Sequence, residues 1–185
     1  MLIQFSDWLN KISSRSSLVV SLSLYILLGF GIMPNVRYFI PALAGAPGPL
    51  DLMFAYTPVV AFERIAAYGP EGRIAYAILS LSADVVYPIV YTVAFGILIT
   101  VLARVVFSSR SSMRRLNLLP VGIFFFDMCE NASIVTLLMI YPAQPVALGW
   151  AASAFTTIKW IFAGAAVFWS VGLIAVALFL ASRRR

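Results

Sequence analysis

Four ionisable residues of this 185-residue chain stand inside long apolar runs: Asp84, Asp127, Glu130 and Lys159. A charge at bilayer depth costs at least about 2.5–3.5 kcal/mol on insertion scales, so such residues face protein or water and point first to function. Their neighbours keep step with them. Ser80, Asp84, Tyr87 and Tyr91 recur at intervals of four, three and four residues, the stripe of one helix face. Asp127, Glu130 and Asn131 fall at i, i+3 and i+4, and Thr156, Lys159 and Trp160 repeat that spacing. The candidate ligand or acid–base site is therefore Asp84, Tyr87, Tyr91, Asp127, Glu130, Asn131, Thr156, Lys159 and Trp160. Ser21, Tyr25 and Gly29 are spaced to line the same interior from an earlier helix, with Asn35 and Arg37 near its outer end.

Three carboxyls facing one ammonium do not balance. Either a carboxyl is protonated at neutral pH, or Arg37 or Arg73 reaches in, or a cation or cationic ligand completes the site. Two carboxyls this close can also share a proton. The chain has no histidine and one cysteine, Cys129. That excludes His-based triads, His-containing zinc sites and an intrachain disulfide. No nucleophile elbow, phosphate-binding glycine loop or metal-binding His pair is present, and three carboxyl donors alone are few for a hard divalent ion. No metal or cofactor is expected. A purely structural role also fits the cluster: Lys–carboxylate, Tyr and Asn contacts tie membrane helices together at about 1 kcal/mol each. Tyr87, Tyr91 and Trp160 taken singly also fit packing roles.

The elements that position these residues follow from composition. Hydrophobic residues make up 62% of the chain and charged ones 11%, against roughly 25% charged in soluble domains. The predicted fold is an all-α membrane protein, a single four-transmembrane-helix bundle over residues 1–185, with helices at about 18–40, 73–107, 118–141 and 146–181. Residues 1–17 read as a short polar lead. Ala42-Leu43-Ala44 has the form of a signal-peptide cleavage site, but it lies too far from the apolar core, so the first segment reads as an anchor. The outer loop, 44–72, is broken by Gly45, Pro47, Gly48 and Pro49. Within it, Thr57-Pro58 signals the start of a short amphipathic helix that Gly69-Pro70 ends. Helix 73–107 would be about 50 Å long, so it projects beyond the membrane or tilts. Pro88 is expected to kink it and to free a carbonyl near Asp84.

Counted from the outer ends of the spans, Asp84 lies about 12 Å deep, Glu130 about 16 Å, and Asp127 and Lys159 about 20 Å. This places the cluster in one layer outward of the midplane. Nine basic residues flank one side of the spans (Lys11, Arg15, Arg104, Arg110, Arg114, Arg115, Arg183, Arg184 and Arg185) and three the other (Arg37, Arg64 and Arg73). The bias predicts the cytoplasmic (inner) membrane with both termini in the cytoplasm. A basic excess that flanks apolar runs in this way argues against a nucleic-acid partner.

The patterns Asp84-x-x-Tyr87-Pro88-x-x-Tyr91, Asp127-x-x-Glu130-Asn131, Tyr141-Pro142 and Thr156-x-x-Lys159-Trp160 resemble those of uncharacterised bacterial four-helix integral membrane proteins. Four helices with buried carboxylates are also similar, remotely, to the EXPERA group, which includes sterol isomerases and sigma-2-type receptors. The histidine on which those isomerases rely is absent here. Three functions fit the sequence. The first is a binding protein or carrier for a small amphipathic or cationic ligand. The second is an intramembrane acid–base enzyme acting on a lipid or isoprenoid. The third is a structural or assembly subunit, in which the small residues at 151–154 and 164–166 would pack against another copy or a membrane partner.

Overall fold

Four helical stretches long and apolar enough to cross a membrane dominate the computed structural model, which describes residues 2–183. They run over Arg15–Val36, Gly69–Val106, Ser112–Met139 and Val146–Ser182. Helix accounts for 84% of the chain, and no strand occurs among the described residues. The chain is an all-α four-helix integral membrane protein. Arg184 and Arg185, and the side chains of Arg37 and Tyr38, lie outside the described residues.

Seven α-helices build the bundle: α1 (Leu2–Ile12), α2 (Arg15–Ile26), α3 (Pro58–Ala67), α4 (Gly69–Leu81), α5 (Ala83–Val106), α6 (Leu119–Met139) and α7 (Val146–Ser182). The polar lead expected at 1–17 is instead largely α1, with α2 already begun at Arg15. Leu2, Phe5, Leu9 and Ile12 recur at helical spacing, and Leu9 is fully buried. It packs where Gly96 of α5 has no side chain; a Cβ there would lie 2.9 Å from Leu9 Cδ1. Asn117 receives the Ser6 hydroxyl at 2.9 Å and donates to Thr100 Oγ1 at 2.9 Å. The Arg104 guanidinium closes the helix end, donating to the carbonyls of Asn10 and Ser13.

The first span is irregular. After α2 it continues as a π-helix over Leu27–Ile32 and a 3₁₀-helix over Met33–Phe39. Pro34 has no N–H to offer the preceding turn, and Gly29 and Gly31 weaken the regular helix around it. None of this span's apolar stretch is buried within the protein. It leans on α5 through α2, and beyond Ile26 it has little contact with the rest.

The second span starts earlier than expected, at Gly69, and its break is not at Pro88. α4 ends at Leu81, Ser82 takes φ −122° and ψ −88°, and α5 runs unbroken through Pro88. The proline ring crowds the turn before it, yet the break lies upstream of that turn, at Ser82, whose hydroxyl donates to the Ile78 carbonyl at 2.6 Å. α3 forms as its capping signals require. The Thr57 hydroxyl accepts from the Val60 N–H at 3.4 Å, Pro58 occupies the first turn, and Gly69 follows with φ +67°. α6 and α7 form the tightest pair; Phe162 packs so closely on Gly122 that any side chain there would collide with it. Toward their C-terminal ends α5 and α7 continue together through Ile99, Ala103 and Leu173.

Candidate functional site

The predicted layer of polar residues divides into two parts, one closed and one open. In the closed part, the Lys159 ammonium on α7 donates to Asp127 Oδ1 at 3.0 Å and pairs with Glu130 Oε2, both on α6. The Thr156 hydroxyl, one turn before Lys159, donates to Glu130 Oε1. Tyr91 on α5 donates to the other Asp127 oxygen at 3.0 Å. Glu130 and Thr156 have no exposed surface, and Asp127 and Lys159 have very little. Such burial is tolerable because the one ammonium is shared by two carboxyls that also accept from Tyr91 and Thr156; removing one partner of a buried pair costs about 3–5 kcal/mol. This cluster fastens α5, α6 and α7 to one another.

Asn131 performs a different task. Pro88 cannot donate to the carbonyl of Asp84, the acceptor four residues earlier, and the Asn131 side-chain amide donates to it instead at 3.1 Å. The carbonyl freed by Pro88 is thus bonded to α6. Arg73 does not reach the cluster. Its guanidinium stacks 3.9 Å over the Tyr141 ring and donates to the Ile65 carbonyl.

The open part is a cavity of about 610 Å³ between the first span, α4, α5 and α7. Its size is that of sites for small organic ligands. Asp84, Tyr87, Tyr91, Lys159 and Trp160 line it, as do Tyr25 and Gly29 of the first span, whereas Asp127, Glu130, Asn131 and Thr156 stand behind its wall. Tyr25 stacks on Tyr87 with ring centroids 6.0 Å apart, and Tyr87 meets Tyr91 edge-on at 5.5 Å. Gly29 permits this arrangement, since a Cβ there would lie 2.6 Å from the Tyr87 hydroxyl. Most of the remaining wall is aliphatic. Among the described residues, no Lys or Arg nitrogen pairs with the Asp84 carboxyl.

The outer loop roofs this cavity, and sequence reasoning missed its part in the site. Lys159 Nζ and Trp160 Nε1 both donate to the main-chain carbonyl of Asp51 at 3.3 Å. The Tyr76 hydroxyl donates to Asp51 Oδ1 at 2.7 Å and accepts from the Leu50 N–H at 3.0 Å. Gly48 receives Arg64 and Tyr68, and the Tyr56 N–H donates to Ser153 Oγ. The Tyr56 hydroxyl lies 3.3 Å from the Thr156 hydroxyl, and burial pushes its pKa up to about 12, so it stays neutral. Burial likewise raises Tyr68. The available signal was composition: Leu50, Leu52, Met53 and Phe54 surround Asp51, too apolar a run for a loop bathed in water.

Searches against family models, curated proteins and solved structures returned no match to this chain.

Proposed function

We propose that this protein sits in the cytoplasmic membrane with both termini in the cytoplasm and binds, or carries, a small cationic amphipath in the cavity beneath its outer loop. One observation carries the reading: the Asp84 carboxyl stands on the wall of a ligand-sized cavity with no cation paired to it among the described residues. An anion in a largely apolar enclosure favours a positive charge carried on an apolar body. Tyr87, Tyr91 and Trp160 offer ring faces to the same charge, worth about 0.5–2 kcal/mol each according to how dry the site is. Lys159 lines the cavity too, but its ammonium is occupied by Asp127 and Glu130. The paired cluster is therefore scaffold, and Asp84 is the recognition group.

The test is thermal stabilisation of the detergent-solubilised protein by octylamine. Stabilisation is expected in the wild type and should vanish in Asp84→Asn, which keeps shape and removes charge. Equal stabilisation of the two proteins would sink the reading.

A further inference from the structure

We infer that the cavity is a two-anion site, with Asp51 as its second subsite, and that its ligand is an apolar-bodied dication of the α,ω-diamine class. This rests on the reading of Asp84 given above and extends it to a second carboxyl that lines the same cavity. Asp51 lies in the roof, and the donors that fix it leave its carboxyl only partly used. Lys159 and Trp160 take its main-chain carbonyl, not its side chain. Tyr76 occupies one carboxyl oxygen, and no Lys or Arg nitrogen among the described residues pairs with either. Asp51 and Asp84 therefore line one enclosure, and neither carboxyl is paired with a Lys or Arg nitrogen among the described residues.

Ser80 supplies the independent sign of a ligand. It follows Tyr76 by one helical turn, precedes Asp84 by four residues, and lines the same cavity. It is 1% exposed, and its hydroxyl has no hydrogen-bond partner among the described residues. Leaving a buried hydroxyl unpaired costs about 1–3 kcal/mol, a cost that a hydrogen-bonding ligand in the cavity removes. The wall thus carries an anion at the roof, an orphaned hydroxyl and a second anion below it. A divalent ion held by two carboxyls and water leaves the aliphatic lining unused, and no group of three or more His, Cys, Asp or Glu residues that could hold one occurs among the described residues. Two ammonium groups on a hydrocarbon spacer match both the two carboxyls and the largely aliphatic lining of the cavity.

The experiment titrates the full-length protein, reconstituted in lipid nanodiscs, with octylamine and with α,ω-diamines of four to twelve carbons, read by calorimetry. One spacer length should bind about tenfold or more tighter than octylamine, with weaker binding on either side of it. Asp51→Asn keeps an acceptor for Tyr76, so it should weaken diamine binding at least about tenfold more than it weakens octylamine binding. Diamines no tighter than octylamine, no dependence on spacer length, or an equal loss for both ligands in Asp51→Asn would each overturn the two-anion site. The spacer series needs only the wild type, so it decides the matter even if Asp51→Asn does not fold. Failure of the underlying reading looks different: octylamine would bind Asp84→Asn as well as it binds the wild type.

Discussion

Pro88 and Asn131 share one backbone bond between two helices. The proline removes the donor that the Asp84 carbonyl would have had, and Asn131 supplies another from α6. Asn131→Ala should therefore destabilise the protein by about 1–3 kcal/mol, the cost of an orphaned buried acceptor. In a Pro88→Ala background, where residue 88 regains an N–H, the same change should be close to neutral. A double-mutant cycle of thermal unfolding in detergent checks this, and equal costs in both backgrounds would refute it. The inward direction of Asn131 was readable from its spacing to Asp127, and so was that of Asp84 and Lys159. Their partners were not, because a spacing fixes a face and says nothing of which group waits opposite. Asp51 was hidden for a related reason: its main-chain carbonyl takes the bonds from Lys159 and Trp160, and a carbonyl has no sequence signature.

Among the elements, α1 shows most clearly where pattern reading runs out. Its eleven residues are too few to span a membrane, and an isolated helix of that length is marginal in water. What fixes it is tertiary: Leu9 against Gly96, Ser6 on Asn117, and Arg104 across the helix end. Arg104→Met keeps the aliphatic reach and removes the donors, so it should loosen α1 by about 1.5–3 kcal/mol. Hydrogen exchange should then quicken at residues 2–12 and stay slow in α6. Unchanged protection of α1 would show that the arginine does not hold it. By contrast, α3 was legible almost to the residue, since Thr57, Pro58 and Gly69 each act through local backbone chemistry. The break at Ser82 was not, because no proline or glycine marks that position.

For the whole molecule, an even number of spans puts both ends on one side, and the order of the spans along the chain puts Lys11, Arg15, Arg104, Arg110, Arg114, Arg115 and Arg183 at that end. Arg64 and Arg73 lie at the opposite end, bonded to Gly48 and Ile65. The positive-inside bias predicts that a fluorescent protein fused after residue 185 folds and glows in the cytoplasm. Alkaline phosphatase fused within the outer loop should be active, and the reverse pattern would invert the topology. The walls of the cavity differ in how they are held. Its roof and its α5 and α7 sides are tied by hydrogen bonds and ion pairs. The first span beyond Ile26 is not: among the described residues of 27–36, the one side-chain hydrogen bond runs from Asn35 to Gly31 within the span itself. Outward displacement of that wall exchanges contacts with protein for contacts with lipid tails, which are equally apolar. The cavity is thus fixed in the placement of its polar groups and unfastened along one wall.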